Sequence, residues 1–462
     1  MQALRESPPG RTDAIDPIEQ VLPPGQMAAI GLQHVLVMYA GAIAVPLIVG
    51  AALHLSKEQQ AGLINADLFA CGVATLLQCI GVGGIGIRLP VVMGVTFACV
   101  GPIIALGTSG ASLPTIYGAV IASGIFAIAI APLFSSLLRF FPPLVTGTVI
   151  ATIGITLLAV GIQWAGGGVG SPNFGAPVNL LLAAIVLVSV LLINRFMRGF
   201  WANISVLLGL VIGMLAAVPL GMVNFAGVAG APLVDIVRPF RFGLPHFDLG
   251  PIVSLCIVMI VTMVESTGMF FALGEVCGRP VNAGTLVRGL RADGMGAIIG
   301  GCFNPFPYTS FSQNVGLIGM TGVRSRWAVA TSGGILIALG LFPKLATIVA
   351  SIPNAVLGGA GIAMFGMVCA TGIKILGGAR LNERHNLLVV AVSIGVGMIP
   401  LVAPTMLSQL PGWAGPFVHS GITLAAFCAV VLNLLFNGDG RSDEGTLLKL
   451  EESLGEPAIS LH

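Results

Sequence analysis

FNPFPYTSFSQNVGLIGMTGVR, residues 303–324, interrupts a chain of long apolar segments with two adjacent carboxamides, Gln313 and Asn314. Pro305 and Pro307 precede the pair, and Gly316, Gly319, Thr321 and Arg324 follow it. A proline pair with a Tyr-Thr-Ser-Phe-Ser run reads as extended backbone. The Gly-Leu-Ile-Gly-Met run after it is compatible with a helix. The stretch is therefore expected to be a short strand that becomes a short helix, with the polar pair at the junction. Length agrees. As helix throughout, Phe306 to Thr321 would rise about 24 Å, short of a hydrocarbon core of about 30 Å. With half of it extended, at about 3.3 Å per residue, it spans. Broken backbone at that depth survives only when buried in protein or lining a cavity, and in transporters such breaks hold the substrate.

The composition fits that reading. Of 462 residues, 56% are hydrophobic and 8% charged, whereas soluble domains carry about 25% charged residues. The chain reads as an all-α polytopic membrane protein embedded in a lipid bilayer. A net charge of +2 leaves no large basic patch for nucleic acid. The first 25 residues are polar, without the apolar core of a cleavable signal. None of the eight cysteines forms a C-x-x-C pair, so they read as buried free thiols rather than metal ligands or disulfides.

Windows of about twenty apolar residues give fourteen candidate spans, at roughly 27–49, 61–82, 89–109, 115–134, 143–163, 177–194, 202–223, 251–274, 286–303, 306–322, 327–349, 354–376, 386–405 and 416–436. The third and tenth are the weakest as plain helices. Twelve Lys and Arg fall at connections after even-numbered spans, and four (Lys57, Arg238, Arg241, Lys344) after odd-numbered ones. The positive-inside rule then places the even connections and both termini in the cytoplasm. The expected organisation is a cytoplasmic tail at 1–25, a first seven-span repeat at 26–223, an extracytoplasmic connection at 224–250, a second repeat at 251–437 and a cytoplasmic tail at 438–462.

The repeat rests on two patches. Thr96-Phe97-Ala98-Cys99-Val100 aligns with Ser310-Phe311-Ser312-Gln313-Asn314, 214 residues on. Pro142, Val145, Gly147, Gly161 and Ile162 align with Pro353, Val356, Gly358, Gly372 and Ile373, 211 residues on. An odd-numbered repeat must enter the membrane inverted. Inverted repeats build alternating-access transporters with the site between them near the midplane. The third span then partners the tenth, and Pro102 sits in the first turn of its half-helix, where proline is tolerated.

A mid-membrane carboxylate costs roughly 2.5–3.5 kcal/mol on insertion scales, so each one needs a reason. Glu265 lies near the middle of the eighth span, in MVESTGMFFALGE; it reads as a protonatable substrate contact, the alternative being a neutral structural Glu. Asp293, in LRADGMGAIIGG, is either a proton relay or a helix N-cap. Asp67 reads as a cap or an interhelical hydrogen bond, and Glu275 as the partner of Arg279. Gln33 and His34, in the first span, read as a polar patch supporting the site. The run GGAGIAMFG, residues 358–366, permits close helix approach. No Walker lysine follows it, and no catalytic motif occurs elsewhere, so uphill transport would draw on an ion gradient and no cofactor is expected.

Gln313-Asn314-Val315-Gly316, four residues, then Thr321-Gly322 resembles the signature of the nucleobase–ascorbate transporter family, the nucleobase:cation symporters. That signature is Gln, Glu or Pro, then Asn-x-Gly-x4-Thr, then Arg, Lys or Gly. The Gln-His pair of the first span and the Glu of the eighth also fit the family's layout. The likeness runs from about Gly25 to Asn437. Through GLQHVLVMYAGAIAVPLIVG, LPVVMGVTF and TSFSQNVGL, the chain resembles the bacterial urate and xanthine permeases. The resemblance implies fourteen spans in two inverted repeats and a division into core and gate domains. It also implies strand-plus-half-helix breaks in spans 3 and 10, proton symport, a homodimer and residence in the cytoplasmic (inner) membrane. It implies that Glu265, Gln313 and the backbone at Thr96-Phe97-Ala98 hold the base, with His34, Asp293 and Asn314 in support.

Elementary chemistry is consistent with those roles. An oxidised purine presents N–H donors and C=O acceptors along one edge, and a carboxamide offers one of each. Glu265 can accept from a ring N–H. Two half-helix N-termini, after Phe97 and after Ser312, would face the base's oxygens. Phe97 offers a ring for stacking. A uracil permease, an anion transporter of similar architecture, a channel and a membrane enzyme remain rivals at this point.

Overall fold

The computed structural model describes residues 16–168, 170–407, 409–410 and 418–438; the tails at 1–15 and 439–462 lie outside the described residues. The first half holds α1 (Pro24–Ala52), α2 (Lys57–Ile80), β1 (Met93–Val95), α3 (Val100–Thr108), α4 (Leu113–Ile130), α5 (Pro143–Ala165), α6 (Pro177–Phe196) and α7 (Ser205–Ala217). The second holds α8 (Leu249–Cys277), α9 (Ala283–Phe303), β2 (Tyr308–Ser310), α10 (Ser312–Thr321), α11 (Arg326–Gly340), α12 (Asn354–Leu376), α13 (Arg384–Val402) and α14 (Gly421–Asn437). A second helical arm, Pro343–Ala350, follows α11 at 81°. Among the described residues eight helices are long and apolar enough to cross a membrane, or nine if the bent pair is one span.

Local chemistry sets the boundaries. Proline occupies the first turn of α1, α5 and α6, where its missing N–H costs no hydrogen bond. Ser56 and Gln59 form a capping box at α2, and Asn282 and Ser325 cap α9 and α11. Gly278 and Asn304 end α8 and α9 in the left-handed conformation.

The third and tenth windows are not continuous helices. Each is a three-residue strand leading into a helix, and the two strands pair antiparallel, Met93 with Ser310, Gly94 with Thr309 and Val95 with Tyr308. Thr96 N–H donates to Pro307 O at 3.0 Å and Phe311 N–H to Val92 O at 3.0 Å, extending the ladder at both ends. All six strand residues are buried, so the backbone groups that the break would strand in lipid bond to each other.

Close helix approach surrounds this centre. A Cβ on Gly72 of α2 would lie 2.4 Å from Gly333 O of α11, and one on Gly124 of α4 would lie 2.5 Å from Gly294 O of α9. A Cβ on Gly154 of α5 would lie 2.3 Å from Cys369 N of α12. The run at 358–366 behaves as its composition suggests: Gly358 packs on Ala165 and Gly361 on Gly161.

One feature adds to the sequence reading and one differs from it. The N-terminal segment ahead of α1 is packed: Ile18 is 1% exposed, and its carbonyl accepts from Arg326 N–H. Arg279 faces Asp16 at 3.9 Å and Glu19 at 4.0 Å rather than Glu275, because this segment brings two carboxylates to it. Glu275 points outward from α8, exposed.

Candidate functional site

The strand pair brings the sequence-derived residues into one region. Gln313 stands in the first turn of α10 and is exposed, as is Ser312. No side chain caps this turn; Asn314 N–H turns back to Phe311 O at 3.2 Å, and the N–H groups of Ser312 and Gln313 are left for a ligand oxygen. Asn314, one residue on, turns the other way. It is 1% exposed, and its Nδ2 donates to His34 O at 2.9 Å and lies 3.0 Å from His34 Nδ1. Asn314 thus anchors α10 to α1 while Gln313 faces open space. His34 is buried in this contact, and Gln33 beside it is half-buried.

α8 lies across both strands. Thr262 Oγ1 is 3.5 Å from Thr96 Oγ1 at the end of β1. One turn later Ser266 Oγ is 3.1 Å from Thr309 Oγ1 and accepts from Ser310 N–H at 3.3 Å. Glu265 sits between these attachments, half-buried, held level with the strand ends by residues on either side of it. The open face continues along α8 at Gly268 and Phe271 and along α10 at Gly316, Gly319 and Met320.

On the third-span side the outcome is more restricted. The Thr96 hydroxyl accepts from Ala98 N–H at 3.2 Å, so this half-helix start is capped by its own residue, unlike that of α10. Thr96 and Ala98 are buried, and Phe97 is half-buried. The Phe97 ring meets Phe365 of α12 edge-on, with centroids 5.9 Å apart and planes at 83°. Phe311, which the repeat alignment equates with Phe97, lies against Gly94 of β1 and Gly41 of α1.

Asp293 is fully buried ten residues inside α9, and Asn282 is that helix's N-cap; the capping alternative for Asp293 is therefore excluded. Its Oδ1 accepts from Gln78 Nε2 at 2.8 Å. Asp67 accepts from the Tyr308 hydroxyl at 2.9 Å, bridging α2 to β2, the interhelical role expected of it extended to a strand. Among the described residues no cluster of His, Cys, Asp and Glu could hold a metal ion, and the eight cysteines are free.

Beyond Asp67, sequence reading missed α2 as a support. Asp67, Cys71, Thr75 and Gln78 recur at helical spacing on one face. Thr75 accepts from Met93 N–H at 3.0 Å in β1, and Gln78 reaches α9. The spacing was there to be found, but small polar residues in an apolar helix look alike whether they bond to their own backbone or across to a neighbour.

The family model Xan_ur_permease, described as Permease family, matches residues 25–406. The chain is 52% identical over 434 residues to the uric acid transporter UacT of Escherichia coli (strain K12), covering 93% of this chain and 90% of that one. It is 48% identical over 413 residues to a xanthine permease of Bacillus subtilis (strain 168), covering 89% and 94%. Among solved structures, the transmembrane domain of the cyanobacterial bicarbonate transporter BicA matches with a TM-score of 0.54 at 16% identity, over 89% of this chain and 97% of that one. SLC26A9 matches with a TM-score of 0.58 at 13% identity, over 89% and 65%. These two share the fold alone. The matched span and the two close relatives establish that the chain belongs to the Xan_ur_permease family, the nucleobase–ascorbate transporters that its signature resembles.

Proposed function

We propose that this chain takes up oxidised purine bases, urate or xanthine, across the cytoplasmic membrane together with protons, by alternating access. The observation that carries the reading is Gln313 at the open, uncapped first turn of α10, on an exposed face shared with α8, which carries Glu265. The carboxamide donates to one base carbonyl and accepts from an adjacent N–H, and Glu265 accepts from a second N–H. Phe97 stacks on the base, and the open N–H groups of α10 stabilise charge on its oxygens. Two of the relatives are a uric acid transporter and a xanthine permease, which supports purines over uracil. Asp293 and Glu265 are the carboxylates available to carry the proton; His34 and Asn314, with Gln33 alongside, hold α10 in place.

Fourteen spans in two inverted repeats, with both termini cytoplasmic, best accommodate the helix pairs. In a seven-span repeat α2 corresponds to α9 and α4 to α11, so the pair α2–α11 maps onto α9–α4, and each pair closes through glycines. The core domain then holds the strands and α1–α4 with α8–α11, and the gate domain holds α5–α7 with α12–α14. Assembly as a homodimer is the family expectation we adopt.

The test is uptake of labelled urate, xanthine, uracil and sulfate in cells lacking their own carriers, with and without an uncoupler. Urate or xanthine should accumulate, the uncoupler should collapse the gradient, and Glu265→Gln should abolish accumulation while the protein still inserts. Preferred uptake of uracil or sulfate, or unchanged accumulation by Glu265→Gln, would refute the assignment.

A further inference from the structure

Gln78 enters none of the roles above, yet its carboxamide is fully buried and fully bonded. Its Oε1 accepts from Ile87 N–H at 3.0 Å, and its Nε2 donates to Gly289 O at 2.9 Å and to Asp293 Oδ1 at 2.8 Å. The amide cannot be turned over. A backbone N–H only donates and a backbone carbonyl only accepts, so Ile87 demands the oxygen on its side and Gly289 demands the nitrogen on the other. Asp293 Oδ1 therefore always meets a donor. Its second oxygen, Oδ2, is buried with no hydrogen-bond partner among the described residues. The Ser266 hydroxyl of α8 accepts from Ser310 N–H at 3.3 Å and lies 3.1 Å from Thr309 Oγ1.

We infer that Gln78 is the positioning residue of the proton site: it engages Oδ1 as an acceptor and leaves Oδ2 as the atom on which the transported proton is taken up and released. The inference rests on the proton-coupled reading above. A donated hydrogen bond favours the ionised carboxylate, so Gln78 sets the pH at which Asp293 gives up its proton. Other titratable groups on elements packed against α9 are Lys57, Glu58, Asp67, Cys71 and Cys79 on α2, Tyr117 on α4, Cys256, Glu265, Glu275 and Cys277 on α8 and Tyr308 on β2. Arg88 lies in the connection bonded to α9, and Arg288, Arg291 and Cys302 lie on α9 itself. Glu265, the other carboxylate of the proton-coupled reading, is unchanged in the variants below. Asp67 is tied to Tyr308 instead.

The experiment is equilibrium binding of labelled xanthine to the purified protein across pH, alongside uptake and melting temperature. The base's own ionisation is common to all variants and cancels in the comparison. Gln78→Leu removes the donor, so Asp293 should hold its proton to higher pH. The alkaline limb of binding should move up by about one pH unit, the size expected for a hydrogen bond to a charged group. Gln78→Glu keeps the shape and the acceptor for Ile87 while adding an acid, and should move the limb the same way. In an Asp293→Asn background neither change should move it further. Limbs that superpose on the wild type in whichever variant retains its fold, or a shift that persists without Asp293, would overturn the inference. A wild-type profile without any pH dependence beyond that of xanthine itself would instead refute proton coupling, leaving the geometry of Gln78 as described.

Discussion

Gly94→Ala tests whether the strand pair positions the candidate site. Gly94 is not at a positive φ, so alanine fits the backbone and the effect comes from contact alone. The added Cβ would sit 2.0 Å from Phe311 Cε2, 2.1 Å from Cδ2 and 2.8 Å from Cζ. Carbon contacts settle near 3.5 Å, so the ring must retreat by about 1.5 Å. It cannot retreat toward α1, because a Cβ at Gly41 would already lie 2.8 Å from Phe311 Cε1, which places that helix backbone close against the ring. Phe311 is the residue before α10, so displacement passes to Ser312 and Gln313. Overpacking of this kind costs about 1–3 kcal/mol, and a misplacement near 1 Å in a positioned group costs up to about 10²-fold. Xanthine uptake efficiency should therefore fall roughly 10- to 100-fold with membrane abundance within about twofold. Adding Phe311→Leu, which shortens the blocked side chain, should recover part of the loss. Wild-type efficiency in Gly94→Ala, or no recovery in the double variant, would refute the link from strand packing to Gln313.

Further expectations concern charge and attachment. Gln313→Glu should weaken urate uptake more than xanthine uptake, since an ionised carboxylate only accepts and repels the more anionic base; the gap should narrow at lower pH as the new acid protonates, and competition against labelled xanthine at two pH values reads it. Arg326→Gln should free the segment ahead of α1. Arg326 is 4% exposed and donates to Glu19 at 2.6 Å and to Cys79 O at 2.6 Å. The loss should be about 1–3 kcal/mol, with the Glu19 share reduced because that side chain is 39% exposed. A lower melting temperature together with faster proteolysis near Ile18 is the signature; an unchanged rate at that position would count against docking.

The break at residues 303–324 was legible because prolines and β-formers followed by a glycine-spaced apolar run leave few alternatives. Its partner was legible only through the repeat, and the register was not, since no local signal couples Gly94 to Thr309. The same limit hid Gln78: its bonds reach Asp293 and Gly289 on a helix far along the chain. Asp293 could be mistaken for a cap because its helix was expected to start later than Asn282. Arg279 was assigned to Glu275 because sequence reading favours near neighbours, whereas the fold brings Asp16 and Glu19 to it. Gln313 and Asn314 were recognised together, but their opposite orientations follow from a helix beginning at Ser312, a boundary finer than composition resolves.

The two-stranded ladder also constrains how the chain is made. Each strand's hydrogen-bonding partner is the other strand, and the ribosome delivers the second roughly 210 residues after the first, about 10–40 s at ordinary elongation rates. Inserted during that interval, the peptide groups of Met93–Val95 would lack their cross-strand partners, at a cost of several kcal/mol for each one left unsatisfied. The nascent first half is thus obliged to wait near water, lipid headgroups or the insertion machinery until Tyr308–Ser310 arrives. Residues 1–223 expressed alone should be degraded, and co-expression of 224–462 should rescue them; a stable, inserted first half on its own would show that the strand finds another partner.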